Sequence, residues 1–187
     1  MSKVIYLVAK KPRHKESFDD TLRYLSEKGL PIKPIDIEYG EYKGKLEVIT
    51  SEGARQCSDI LQSEVIVFRT GLFINALNDF PGESTNYVLK SIGLSGILKL
   101  MSNEDNRKAK WKFCLGYGCP EIEPKIFMGV CLGSIALKQQ GGEGYAFDPI
   151  FVPDGHTKTF AEDPTLKDVF GARLVAINTF IKWYKRK

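Results

Sequence analysis

Histidine is nearly absent from this chain of 187 residues, which holds only His14 and His156, and its four cysteines show no C-x-x-C spacing. A zinc site needs closely spaced thiolate and imidazole ligands, so this scarcity argues against one. Cys114 and Cys119 are near enough to bridge a hairpin, but without a sign of export the four thiols are expected to be free in a reducing compartment. No apolar run approaches the length of a membrane span, and MSKVIYLVAKK enters a short β-like run with no apolar leader, so a soluble cytoplasmic protein without a membrane partner is expected. Neither the G-x-x-x-x-G-K-[ST] phosphate loop nor G-x-G-x-x-G occurs. Internal repeats, low-complexity tracts and Pro/Ser linkers are also missing, which favours a single domain over residues 1–187. Charge of one sign is not concentrated either. The net +4 is spread along the chain apart from a KRK ending, which is weak evidence for nucleic acid and suits small anionic ligands equally well, so no specific nucleic-acid partner is expected.

What is present is ordinary globular composition, 43% hydrophobic and 27% charged, enough apolar surface for a packed core. Lys3 to Ala9 reads as a strand. The basic turn KKPRHK follows, then a helix with Ser17 as a possible cap and Phe18, Leu22, Tyr24 and Leu25 on one face. Pro31 to Ile37 is extended, and a helix around Ser51 to Gln62 turns Ala54, Cys57 and Leu61 inward. This βαβα order predicts a parallel sheet covered by helices. Val65, Ile66 and Val67 form a buried strand, interrupted by Thr70-Gly71, that delivers Phe68 and Arg69 to an exposed strand end. Two helices broken at Gly93 come next. Trp111 to Gly116 and Lys125 to Leu132 then suggest an antiparallel hairpin in a lobe of about 110–150 inserted in the α/β core, with a ligand cleft between lobe and core. A short strand, Ile150 to Val152, and a single helix from about Leu166 to Lys185 close the chain. The helix carries an apolar stripe of Val169, Phe170, Leu174, Ile177, Phe180, Ile181 and Tyr184.

Several residues invite a chemical reading beside an ordinary one. Arg69 is a solvated boundary charge or an anion binder at a strand end, where α/β proteins keep their chemistry. The run Lys10, Lys11, Arg13, His14 and Lys15 is a solvated turn or a phosphate cradle after the first strand. Asp36, Glu38 and Glu41 are surface charges or metal ligands. Glycines 141, 142 and 144 make a turn, but Tyr145, Phe147 and Asp148 directly after them offer aromatic faces and a carboxylate that can accept from a base N–H.

The segments TGLFINALNDFPG, SIGLSGILKLM, FMGVCLGSI and FDPIFVPDGHTKTFAE resemble the inosine triphosphate pyrophosphatase family, and the resemblance extends over essentially the whole chain. It implies an α/β fold with an elongated mixed sheet and flanking helices, two lobes with a nucleotide cleft between them, and a homodimer. It also implies Mg²⁺-assisted attack of water on non-standard purine nucleoside triphosphates, giving monophosphate and pyrophosphate. At the base end, the family's G-F-G-[YW]-D motif matches Gly144 to Asp148. Its K-x-x-x-S-H-R motif matches Lys167, Gly171, Ala172 and Arg173, so lysine and arginine remain while serine and histidine do not. The implied base-binding set is Tyr145, Phe147, Asp148, Lys167 and Arg173.

The phosphate end departs further. The family's T-x-N-x-x-K strand end matches Ala9, Lys11 and His14 or Lys15, leaving Lys10, Lys11, Lys15 and Arg69 as phosphate binders. Its E-D-[ST]-G-L carboxylates, which serve metal binding and water activation, match Phe68 and Arg69, so no catalytic position is intact. Glu41 alone matches an acidic metal position. A unit positive charge about 4 Å from a divalent cation, at an effective dielectric of about 20, is repelled by roughly 8 kcal/mol where an aspartate would be attracted as strongly. Three readings follow: a pyrophosphatase of weak or altered activity, a nucleotide binder in which Arg69 and Lys11 replace the metal, and a dimeric scaffold.

Overall fold

The computed structural model describes residues 4–9, 15–40, 42–142 and 145–187. In chain order the elements are β1 (Ile5–Ala9), α1 (Lys15–Glu27), β2 (Ile32–Asp36), α2 (Leu46–Leu61), β3 (Glu64–Ile74), β4 (Pro81–Gly82), α3 (Thr85–Ser91), α4 (Gly93–Leu100), β5 (Lys108–Cys119), β6 (Ile122–Ile135), β7 (Phe151–Pro153), α5 (Thr165–Phe170) and α6 (Ala172–Tyr184). The seven strands form one mixed sheet in the order β2-β1-β3-β5-β6-β7, with β4 paired to β3. β1 runs parallel to β2 and to β3, as the βαβα pattern requires, whereas β3–β4 and β6–β7 are antiparallel.

Two compact units are present. One comprises Met1–Arg69, Cys114–Met128 and Val175–Lys187, the other Thr70–Phe113 and Gly129–Leu174. The segment expected to form an inserted lobe is therefore divided between them.

In the first unit, Val65, Ile66 and Val67 are fully buried, and Val8, Tyr39, Ala54 and Cys57 pack with Val65 and Val67. Helix α2 begins at Leu46, five residues before the expected start at Ser51, because Leu46 is itself buried and Thr50 donates its hydroxyl back to the Leu46 carbonyl. Ser17 lies inside α1 rather than capping it. The Gly-Tyr-Gly of β5 brings the helix down onto bare backbone: a Cβ at Gly118 would stand 2.3 Å from the Ala54 carbonyl oxygen. Tyr117, Phe127, Phe180, Trp183 and Tyr184 form an aromatic cluster with ring centroids 5.2 to 6.3 Å apart. Beside it the buried Glu64 carboxylate accepts from Tyr184 Oη at 2.7 Å and Lys187 Nζ at 3.4 Å, while Lys187 also donates to Tyr117 Oη.

In the second unit β3 continues through Thr70-Gly71 instead of stopping there. Gly71 is the close-approach point for β4: a Cβ would lie 2.6 Å from the Gly82 carbonyl oxygen. Thr85 locks this corner, accepting from the Leu72 amide and donating to the Gly82 carbonyl. Arg107 spans three carbonyls, those of Met101, Ile135 and Ala136, and ties α4 to the end of β6. Strands β5 and β6 are longer than expected, and only Pro120 and Glu121 separate them. The closing helix is two helices. Gly171 is extended, with φ −62° and ψ 135°, and a Cβ there would meet the Lys167 carbonyl oxygen at 2.3 Å. Val169 and Phe170 consequently leave the apolar stripe and are exposed, Phe170 resting on the His156 ring at 4.5 Å. All four cysteines are free thiols, including Cys114 and Cys119.

Candidate functional site

Of the residues expected to bind phosphate, Arg69 lies in the first unit, held by β3 and by the loop after β2. Four consecutive buried residues, Glu64 to Val67, fix the start of β3, and the next two, Phe68 and Arg69, are half-buried. The Phe68 ring lies 6.4 Å from Phe18 of α1. Arg69 donates through one terminal nitrogen to the Phe68 carbonyl at 2.9 Å and through the other to Tyr39 Oη at 2.7 Å, with its Cζ 5.5 Å from the Tyr39 ring centroid. Among the described residues no carboxylate stands within ion-pair distance of it. Tyr39 is buried, and burial holds its phenol above the ordinary range despite the nearby guanidinium, so it stays protonated. Gln56 of α2 secures the same loop, its Oε1 accepting from the Gly40 amide at 2.6 Å and Tyr42 Oη at 3.0 Å. Burial pushes the neighbouring Cys57 thiol up to about 12, so it is a packing group rather than a nucleophile.

Lys10, Lys11, Arg13, His14 and Glu41 lie outside the described residues, and of Lys15 only the backbone is described. Asp36 and Glu38 are exposed. Among the described residues no group of three or more His, Cys, Asp or Glu side chains converges to hold a metal ion. The implied Mg²⁺ is not matched at Phe68 and Arg69. A guanidinium beside a protonated phenol presents N–H and O–H donors and a positive charge, the reverse of what a hard divalent cation requires.

The residues expected to bind a base lie in the second unit, in the turn from Tyr145 to Asp148, in α5 and, for Arg173, in α6. Ala146 takes a left-handed φ of 54°, and the Asp148 amide closes the turn on the Tyr145 carbonyl at 3.0 Å. Phe147 is thereby driven into the core against Trp111, centroids 6.2 Å apart, while Tyr145 stays half-buried. Lys167 of α5 pairs with the Asp148 carboxylate, and its Nζ stands 5.7 Å from the Tyr145 ring centroid. These three side chains meet although Lys167 is 19 positions from Asp148. Arg173, in α6, places its Cζ 5.8 Å from the Phe113 ring. Tyr39, which orients Arg69, carries no motif in the sequence; only its side-chain contact with Arg69 reveals it.

The sequence pattern of the Ham1 family matches residues 9–183. A dITP/XTP pyrophosphatase of Methanopyrus kandleri is 41% identical over 170 residues, covering 90% of each chain. That of Methanothermobacter marburgensis is 38% identical over 172 residues, covering 91% of this chain and 92% of its own. Among solved structures, a HAM1 protein from Coxiella burnetii superposes with a TM-score of 0.80 at 22% identity, covering 98% of this chain and all of that one. The dITP/XTP pyrophosphatase from Mycobacterium abscessus gives 0.71 at 25% identity, with 97% and 96% covered. With a pattern matched from the end of β1 to the last turn of α6 and relatives this similar over nine-tenths of the chain, the protein belongs to the Ham1 family.

Proposed function

We propose that this chain is a nucleoside triphosphate pyrophosphatase-like protein that takes purine nucleoside triphosphates, in the family reaction of triphosphate plus water to monophosphate plus pyrophosphate, with weaker turnover than its relatives. The observation that carries the substrate class is the Asp148–Lys167 pair beside Tyr145. A 6-keto purine presents a ring N–H next to a carbonyl oxygen, and an acidic acceptor next to a cationic donor complements that edge. Adenine offers an amino donor and a bare ring nitrogen instead. Tyr145 supplies a face for the ring, and Arg173 adds positive charge to this unit. The weak turnover follows from Phe68 and Arg69, since neither can bind a metal or take a proton from water. The cytoplasm is the proposed compartment and a homodimer the proposed assembly.

Inosine, xanthosine, guanosine and adenosine triphosphates incubated with the protein and Mg²⁺, with pyrophosphate release and calorimetric binding followed in parallel, test this reading. Expected are binding of the inosine and xanthosine nucleotides ahead of adenosine triphosphate and slow release of pyrophosphate. Binding without any release would leave a nucleotide-binding protein. No binding of any purine triphosphate, with a stable dimer in sedimentation, would leave a scaffold and overturn the proposal.

A further inference from the structure

We infer that Arg69, within the first unit, binds a phosphate group directly, in place of a divalent cation, so that this binding is independent of metal. This rests on the triphosphate reading above and names the chemistry by which the first unit meets a phosphate. Arg69 uses one N–H on the Phe68 carbonyl and one on Tyr39 Oη, which fixes the plane of the guanidinium and leaves its other N–H groups for a ligand. Both partners are neutral, and no carboxylate among the described residues neutralises the charge. An arginine whose charge only needs solvation has no use for a buried phenol that orients it. Half-buried at the end of three fully buried strand residues, this one keeps a directed charge that water screens only partly. A planar guanidinium in a fixed orientation matches two oxygens of a phosphate group, and such charge-assisted pairs are the stronger kind of hydrogen bond. A divalent cation at this place would meet a repelling charge, whereas a free triphosphate meets an attracting one.

Calorimetric titration of inosine triphosphate into the wild type, Arg69→Gln and Arg69→Lys, each in EDTA and in excess Mg²⁺, tests this, with inosine as a probe lacking phosphate. The wild type is expected to bind inosine triphosphate in EDTA at least as tightly as in Mg²⁺, because Mg²⁺ masks the phosphate oxygens. Arg69→Gln is expected to lose about tenfold to a hundredfold in EDTA, the range for one charge-assisted interaction, with inosine binding unchanged. Arg69→Lys should recover part of that loss, since it keeps the charge without the fork, and it also serves if Arg69→Gln does not give a cooperative melt. Binding of inosine triphosphate only in Mg²⁺, or equal affinity of wild type and both variants in EDTA, overturns this inference and leaves the proposed function standing. Absence of binding in both conditions overturns the proposed function and this inference with it.

Discussion

Replacing Phe68 with Glu and Arg69 with Asp together should convert this protein into one whose nucleotide binding depends on Mg²⁺. At about 4 Å and an effective dielectric of about 20, exchanging a repelling unit charge for an attracting one beside a divalent cation changes the interaction by roughly 16 kcal/mol before solvation. Both positions are half-buried, so hydration and screening cut this steeply, and a few kcal/mol is the realistic remainder. That still corresponds to about two orders of magnitude or more in Mg²⁺ affinity. The exchange also removes the Phe68–Phe18 contact and both Arg69 hydrogen bonds. A cost of about 2 kcal/mol is expected, equivalent to a fall of about 4–8 °C in melting temperature for a chain of this size. Calorimetry of inosine triphosphate across a Mg²⁺ series, with the melting transition as a folding control, reads the outcome. A double variant that melts cooperatively yet binds the nucleotide with no Mg²⁺ dependence would refute the charge argument. Full turnover is not expected, because restoring two carboxylates leaves every other residue of the first unit unchanged.

Tyr39→Phe should leave Arg69 in place without orientation, losing about 1 kcal/mol of stability in chemical denaturation and severalfold in nucleotide affinity in EDTA. Asp148→Asn should narrow the preference for inosine over adenosine triphosphate by about tenfold or more in competition binding, because the amide offers a donor as well as an acceptor and loosens Lys167. Burial raises the Glu64 carboxyl, but the Tyr184 hydrogen bond, the charge of Lys187 and further hydrogen bonds outweigh it, so its net shift is downward. A depressed carboxyl contributes stability that is full above its unfolded value near 4.5 and is lost as pH falls through the folded value. Glu64→Gln should therefore flatten the acid limb of the stability–pH curve in that window and lower the curve above it without changing its slope there. Ala146→Gly should stabilise the protein by about 0.5–1 kcal/mol of relieved left-handed strain net of backbone entropy, read as a small rise in melting temperature.

Much of the architecture could be read from the chain because the signals were local. β-Branched runs marked β1 and β3, glycine at 93 separated α3 from α4, and the alternation of strands and helices announced the parallel β2-β1-β3 set. Errors arose where a residue's role is set by something distant. Thr70-Gly71 has turn composition, yet the strand continues because β4 lies against it; Gly171 looks tolerable within a helix, yet the backbone is extended there. Leu46 begins α2 ahead of any capping signal because it is buried.

The candidate site divides along the same line. The sequence by itself determined the family, since its motifs run through the whole chain, and it determined that positions 68 and 69 are a phenylalanine and an arginine. Side-chain identity is a covalent fact and needs no fold. Only the tertiary structure decided that Phe147 is core and Tyr145 is not, that Lys167 meets Asp148, and that Arg69 is oriented by Tyr39 from 30 positions away. Those relations depend on which faces the sheet and helices bring together, and no spacing along one strand or helix encodes them.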